Sequence, residues 1–179
     1  MPPLSRFLLP FKYAKERYAG HPLRLSIAAL KTILLAHVFW KYGYAIAPLQ
    51  GPSMLPTFEV TGDSVIISRY YRRGREIKVG DVVSFDSVVE PGESVIKRVL
   101  GLQGDYVMRD TPGTTESMIQ VPEGHCWVIG DNLPWSRDSR HFGPMPLALI
   151  KGKVIAKVLP WSERKWIENG LQPVEIRRA

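Results

Sequence analysis

The chain reads as a mainly β protein, an antiparallel-sheet domain preceded by one N-terminal apolar helix. Three observations predict this. An apolar run, Leu23 to Ala47, lies near the N-terminus with no proline between Pro22 and Pro48. From Pro48 onward the pattern changes to short apolar runs rich in β-branched residues. Turn residues separate those runs at fairly regular spacing, which marks an all-β domain rather than alternating helix and strand.

The chain of 179 residues suits one globular domain plus an appendage. Residues 1–50 hold seven Lys/Arg and one acid, whereas residues 51–179 hold seventeen and sixteen. The +7 net charge therefore resides in the N-terminal arm, and the near-neutral body lacks the basic face of a nucleic-acid binder. The basic arm, 1–22, carries Arg6, Lys12, Lys15 and Arg17 against Glu16 alone. Two readings stay open for it: a mitochondrial targeting segment, or a basic flank obeying the positive-inside rule.

Residues 23–47 are expected to form a transmembrane helix rising about 37 Å, enough to cross a bilayer. Lys31 and Lys41 oppose this, since a lysine at mid-bilayer costs roughly 2.5–3.5 kcal/mol. Each lies about 7 Å from the midpoint near Ala36, on opposite sides, so each amine can snorkel to its nearer surface. A span is favoured over a helix lying in the membrane plane, and membrane lipid is an expected partner. A cleaved signal peptide fits less well, because the apolar part is too long.

The β-rich domain is expected over 48–160. Its strands are placed at Ser64–Ser68, Asp81–Phe85, Val95–Leu100, Tyr106–Met108, Cys126–Ile129 and Gly152–Leu159. Four Gly-Asp pairs, at 62, 80, 104 and 130, read as turns at strand boundaries. Thr111 to Thr115 reads as an exposed loop. The tail, 161–179, is expected to hold a short helix over Ser162–Asn169, capped by Ser162 and ended by Gly170. Trp161 and Trp166 suit either lipid headgroups or packing against the domain, the latter being favoured. One cysteine, Cys126, excludes an internal disulfide, and the four histidines show no ligand spacing, so no metal or cofactor is expected.

The chemistry starts at Gly51-Pro52-Ser53-Met54-Leu55-Pro56-Thr57, directly after the apolar segment. Gly51 permits an unusual backbone and Pro52 fixes its own φ, so Ser53 can present its hydroxyl beside free backbone N–H groups. Alone, such a serine is more often an ordinary turn residue. Val95-Ile96-Lys97-Arg98-Val99 follows 44 residues later. In a strand, Val95, Lys97 and Val99 share one face and Ile96, Arg98 and Leu100 the other. Arginine keeps its proton in proteins, whereas burial lowers a lysine's pKa. A neutral amine near pH 7 is a competent base for a serine hydroxyl. The string Ser94-x-x-Lys97 matches a penicillin-binding motif, but that motif works on a helix, and on a strand its two side chains diverge.

The third element is the polar loop Gly130 to Arg140, in which Asp138 and Arg140 suit an ion pair and Ser136 suits contact with the lysine amine. His125 and His141 are rival bases, but neither has an acid clearly placed to orient its ring.

These segments resemble the boxes of the type I signal peptidase family, the membrane-bound Ser-Lys class. Gly51 to Thr57 resembles the nucleophile box and Gly80-Asp81-Val82-Val83 the next. Lys97 to Asp105 resembles the lysine box, and Gly130 to Arg140 with Phe142-Gly143-Pro144 the last. Within that family the chain is most similar to the mitochondrial inner membrane protease type, subunit 1, through Val121 to Trp127 and the phrase Gly101-Leu102-Gln103-Gly104-Asp105.

The resemblance implies Ser53 as nucleophile and Lys97 as general base, with Ser136, Asp138 and Arg140 supporting, and Gly51, Pro52 and Met54 beside substrate and oxyanion. It implies a catalytic domain facing the intermembrane space from the mitochondrial inner membrane. It also implies sorting presequences as substrates and a second protease subunit, of the subunit 2 type, as partner. Some bacterial relatives carry a serine where Gly51 stands, which leaves oxyanion stabilisation here mainly to backbone N–H groups. The competing readings are a non-catalytic β-scaffold subunit, a bacterial-type plasma-membrane signal peptidase and a self-cleaving repressor-type domain. The last would carry a DNA-binding head where this chain has an apolar segment.

Overall fold

The computed structural model describes residues 21–110 and 117–170. The predicted basic arm up to residue 20, the Thr111–Thr115 loop and the end of the tail lie outside the described residues. The chain divides between Lys41 and Tyr42 into two units.

The first unit holds helix α1, Pro22–Tyr42, except for its last residue. Pro22 opens it, where the missing N–H costs nothing, and Gly43 follows its last residue. The hydroxyls of Ser26 and Thr32 donate to the carbonyls of Pro22 and Ala28, each at 3.0 Å, so neither polar group needs a partner outside the helix. Large apolar side chains, Leu23 and Leu35 among them, point outward. The window Pro22–Phe39 has a mean hydropathy of 1.4 and is long and apolar enough to cross a membrane.

The helix stops five residues short of the expected end at Ala47. Tyr44–Gln50 instead forms strand β1, paired antiparallel with β2 (Thr61–Ser68) from Tyr44↔Ser68 to Gln50↔Thr61. Apolar character alone could not separate these states. Here Gly43 ends the helix, and sheet pairing captures the alternating residues beyond it. The shorter helix also moves the lysines. Lys41 now lies in the last turn, at the helix end, while Lys31 lies next to the midpoint, so the symmetric placement about Ala36 does not hold.

The second unit is a curled antiparallel sheet. Its strands are β3 (Val82–Asp86), β4 (Ser94–Leu102), β7 (His125–Ile129), β8 (Met145–Pro146), β9 (Ile150–Leu159) and β10 (Lys165–Trp166), beside β1 and β2. Strand order is β1-β2-β9-β3-β4-β7-β8, with β10 on β9; β5 (Tyr106–Met108) and β6 (Met118–Gln120) form a separate hairpin. All six predicted strands are present within three residues at either end. Of the strands not anticipated, β1 begins inside the apolar run assigned to the helix, and β6, β8 and β10 are only two or three residues long.

Two main clusters fill the sheet. Val83, Phe85, Val99, Val128 and Ile150 pack together in one, and Met54, Phe58, Val65, Val82 and Val154 in the other. Strand β4 supplies the pattern that matters. Lys97 and Val99 are buried, Arg98 is half-buried and Leu100 is exposed, with an irregular register between Val99 and Gly101 where β4 meets β7.

The expected helix over Ser162–Asn169 is absent. Trp161–Glu163 makes one 3-10 turn and Lys165–Trp166 becomes β10. The buried Lys157 ammonium binds Asp63 at 2.8 Å and Glu163 at 2.6 Å. Together with the Ile167 N–H bond to the Ile155 carbonyl, this draws the segment along β9 and overrides its helical pattern. Trp161 and Trp166 do not pack into the domain: they are 68% and 73% exposed.

Candidate active site

The turn bearing Ser53 is built by its neighbours. Gly51 adopts φ 104°, a region that disfavours any side chain, and its N–H donates to the Val60 carbonyl at 2.8 Å. Pro52–Met54 forms one 3-10 turn with proline at its start. Met54 is buried in the second core cluster, and its carbonyl accepts from Phe58 N–H at 3.0 Å. The serine therefore sits on a turn anchored from below by its own successor.

Strand β4 brings Lys97 to that turn. Its Nζ lies 2.5 Å from Ser53 Oγ, and the residue is 3% exposed. Burial is the largest influence on the amine and lowers its pKa to about 8, against the upward pull of Asp138 and then Asp131. The amine is thus poised between its two protonation states near neutral pH, in contact with a hydroxyl.

The 130–140 loop closes the site. Asp138 is fully buried. Burial pushes its carboxyl up, but the Arg140 guanidinium, the Ser136 hydroxyl and the Gly130 N–H outweigh this and hold it below the usual carboxylate range. Arg140 Nε donates to Asp138 Oδ1 at 2.9 Å, and its Nη2 reaches the Leu133 carbonyl at 2.7 Å. Asp138 also caps helix α2 (Ser139–Phe142) through a capping box with His141. Asp138 and Arg140 are paired within the loop. Ser136 differs from expectation: its hydroxyl donates to Asp138 Oδ2 at 2.6 Å, not to the lysine. The Pro52 carbonyl accepts from Asn132 Nδ2 at 3.0 Å, and Gly51 and Met54 line the cleft beside Ser53.

A second ion pair lies across the turn. Arg98 reaches both oxygens of Asp131, at 2.8 Å and 2.7 Å, and the Gly80 carbonyl at 2.9 Å. Asp131 also accepts from the Thr57 hydroxyl. Burial raises the Asp131 pKa, and the Arg98 and Thr57 hydrogen bonds reverse that to a net lowering. Asn132 N–H donates to the Ser53 carbonyl at 3.1 Å. Thr57, Arg98, Asp131 and Asn132 were given no role by the sequence reading. The available signal was the acid and amide inside the same loop, with Arg98 beside the lysine.

Gly80-Asp81 and Gly104-Asp105 lie at the turns the sequence suggested, with Asp81 and Asp105 accepting from the N–H groups of Lys78 and Leu102. Gly62-Asp63 instead lies inside β2, where Asp63 accepts from the Glu59 N–H. The fourth is different. A Cβ on Gly130 would stand 2.5 Å from the Ser53 carbonyl oxygen and 2.3 Å from Ser136 Oγ. Glycine is needed there for close approach to the serine turn.

The rival groups face elsewhere. His141 Nδ1 accepts from the Asp138 N–H at 3.5 Å, and His125 Nδ1 contacts the Glu123 carbonyl at 2.8 Å. Ser94 accepts from Lys151 at 2.7 Å, so the Ser-x-x-Lys string has no common site. Cys126 is buried, which pushes its thiol up to about 12. Among the described residues no His, Cys, Asp and Glu cluster could hold a metal.

Beside Ser53 lies a cleft of about 230 Å³, lined by Ala47 to Gly51, Met54, Phe58 and Glu59 on one side and Glu93 to Ile96 on the other. Among the described residues both flanking strands have a free edge there: β1 pairs with β2 alone, and β4 pairs with β7 from Arg98 onward.

The sequence profile of the family described as Signal peptidase, peptidase S26, matches residues 23–114 and 108–161. The chain belongs to the signal peptidase family, peptidase S26. It is 36% identical over 154 residues to mitochondrial inner membrane protease subunit 1 of Schizosaccharomyces pombe, covering 86% of this chain and 96% of that one. It is 42% identical over 150 residues to mitochondrial ATP-independent inner membrane protease subunit 1a of Arabidopsis thaliana, covering 82% and 86%. It is also 35% identical over 132 residues to mitochondrial inner membrane protease subunit 2 of Danio rerio, covering 72% and 71%. A crystal structure of a signal peptidase I from Enterococcus faecalis aligns with 25% identity and a TM-score of 0.36, covering 44% of this chain and 96% of that one. The signal peptidase family match spans both the Ser53 turn and the Lys97 strand.

Proposed function

We propose that this chain is a membrane-tethered serine endopeptidase that uses Ser53 as nucleophile and Lys97 as general base. The observation that carries the reading is the buried Lys97 amine 2.5 Å from the Ser53 hydroxyl. In the neutral state that amine accepts the hydroxyl proton as Oγ attacks the scissile carbonyl carbon. The oxyanion is held by backbone N–H groups of the Ser53 turn, since Gly51 offers no hydroxyl. The protonated amine then gives its proton to the leaving nitrogen, and an ester to Ser53 remains. Lys97, neutral again, takes a proton from water, which attacks the ester; as the ester C–O bond breaks the lysine returns that proton to Ser53 Oγ, releasing the new carboxyl product.

Substrate enters as an extended segment between β1 and the start of β4, whose free edges supply main-chain hydrogen bonds on both sides. The substrates are sorting presequences of imported proteins. The similarity to inner membrane protease subunits supports a place in the mitochondrial inner membrane, with the catalytic unit in the intermembrane space. Relatives named subunit 1 and subunit 2 support a second protease subunit as partner. Helix α1 is the membrane anchor.

The test is cleavage of presequence peptides by the purified full chain, alone and with its partner. Ser53→Ala and Lys97→Met are each expected to reduce turnover by at least 10³-fold while far-ultraviolet circular dichroism is unchanged. Near-normal turnover by either folded variant would refute the assignment and favour the scaffold reading.

A further inference from the structure

The positive charge of the second unit is concentrated in one short segment. Residues 51–179 carry a net charge of +1, whereas residues 69–78 alone carry five Lys/Arg against Glu76. Everything else in 51–179 is therefore net negative, at −3. The segment begins with the kinked 3-10 segment Arg69–Gly74, which packs against β9 and the Leu147–Leu149 turn. Arg69 N–H donates to the Gly43 carbonyl at 2.8 Å, and the Arg72 guanidinium lies 5.0 Å over the Tyr42 ring. Tyr42 is the last residue of α1. The arginines are thus tied to the residues by which the chain leaves its apolar helix.

Their surroundings suit a headgroup layer. Tyr42, Tyr44, Ile46 and Tyr70 are exposed large side chains, Arg72, Arg73 and Arg75 are exposed too, and the Arg75 guanidinium lies 5.2 Å over the Tyr70 ring. Aromatic rings with polar tips favour the level of lipid headgroups, and guanidinium forks match phosphate oxygens. Among the described residues no carboxylate forms an ion pair with Arg72 or Arg73, and Glu76 accepts from the Tyr70 hydroxyl at 2.9 Å instead. The turn is held rigidly. Arg73 is in the left-handed region at φ 58°, a conformation that a side chain adopts at a cost, and a Cβ on Gly74 would stand 2.9 Å from Leu147. The turn thus presents Arg72 and Arg73 at the surface with no carboxylate ion pair among the described residues.

We propose that Arg72 and Arg73, with the tyrosines around them, bind the phosphates of anionic lipid headgroups and so fix the catalytic unit against the bilayer. The inference rests on reading α1 as a membrane anchor. It deepens that reading by naming the lipid class and the residues that recognise it.

The experiment places the full chain in nanodiscs of phosphatidylcholine alone, or with about a quarter phosphatidylglycerol, and measures amide hydrogen exchange. Exchange over 69–78 is expected to be at least threefold slower in the anionic discs. The difference should vanish in 0.5 M salt, which needs no variant, and in the double variant Arg72→Gln/Arg73→Gln. Exchange in β7 reports that the variant is folded. Equal exchange in the two discs, or a difference that survives both salt and substitution, overturns the proposal. Protection that arises only when an acidic partner protein is added overturns it as well. Alkaline carbonate extraction tests the anchor and peptide cleavage tests the peptidase; neither enters the exchange comparison, so failures of the three are separable.

Discussion

The main-chain N–H of Asn132 donates to the carbonyl of Ser53 at 3.1 Å, joining two loops that lie 79 residues apart in the chain. The same residue's side chain holds the Pro52 carbonyl. The serine turn is therefore positioned by the 130–140 loop as well as by its own glycine and prolines, and several consequences can be measured.

Gly130→Ala should separate these loops. Its methyl group would meet the Ser53 carbonyl at 2.5 Å, so the serine turn must shift. A displacement near 1 Å at a reacting group costs on the order of 10²-fold in rate. The expected outcome is a fall in kcat of that size with little change in KM, in a variant whose circular dichroism is native.

The Arg98–Asp131 pair joins β4 to the same loop. Asp131→Ala leaves a half-buried guanidinium facing only the Gly80 carbonyl and Thr57. It should destabilise the second unit by about 2–3 kcal/mol, read from urea unfolding of the full chain in detergent. Thr57→Val, which removes one neutral donor, should cost about 1 kcal/mol.

Activity should depend on pH through Lys97. The amine acts as a base only when neutral, and its pKa is lowered to about 8. The expected kcat/KM therefore rises tenfold per pH unit below about 8 and levels off above it. A profile governed by a group titrating near 6.5 would point to a histidine instead.

Lys97→Met should stabilise the fold while it abolishes activity. Below pH 8 the wild-type amine is charged in both folded and unfolded states, and its burial penalty is present in full. Between about 8 and the unbound value of 10.5 the unfolded chain binds the extra proton, so wild-type stability rises with pH. The variant's advantage, about 1–3 kcal/mol at pH 7, should therefore shrink across that window. Thermal melts at pH 7 and pH 10 provide the check.

Much of this was legible in the chain because it is carried by local patterns. The six apolar runs were strands because alternation and flanking turn residues survive in any antiparallel sheet. Gly51-Pro52-Ser53 announced an unusual turn through backbone restrictions alone. Lys97 stood out because a lysine between valines on one strand face must be buried or sit at an edge. Asp138 and Arg140 were near enough in sequence to be paired without the fold.

The failures share one cause. Tyr44–Gln50 and Lys165–Trp166 are strands only because β2 and β9 offer them an edge, and the Ser162–Asn169 helix lost to the Lys157 ion pairs. Asp131 looked like the other turn aspartates, yet it meets Arg98 from across the sheet.

By itself the sequence determined the class of the domain and the apolar helix, and it singled out the two residues proposed to react, since each follows from side-chain chemistry and short-range spacing. Only the tertiary structure decided where the helix ends, which partner each polar group takes, and that a glycine at 130 admits the serine turn. Those outcomes depend on contacts between segments many residues apart, and the free energy of such contacts exists only once the sheet has closed.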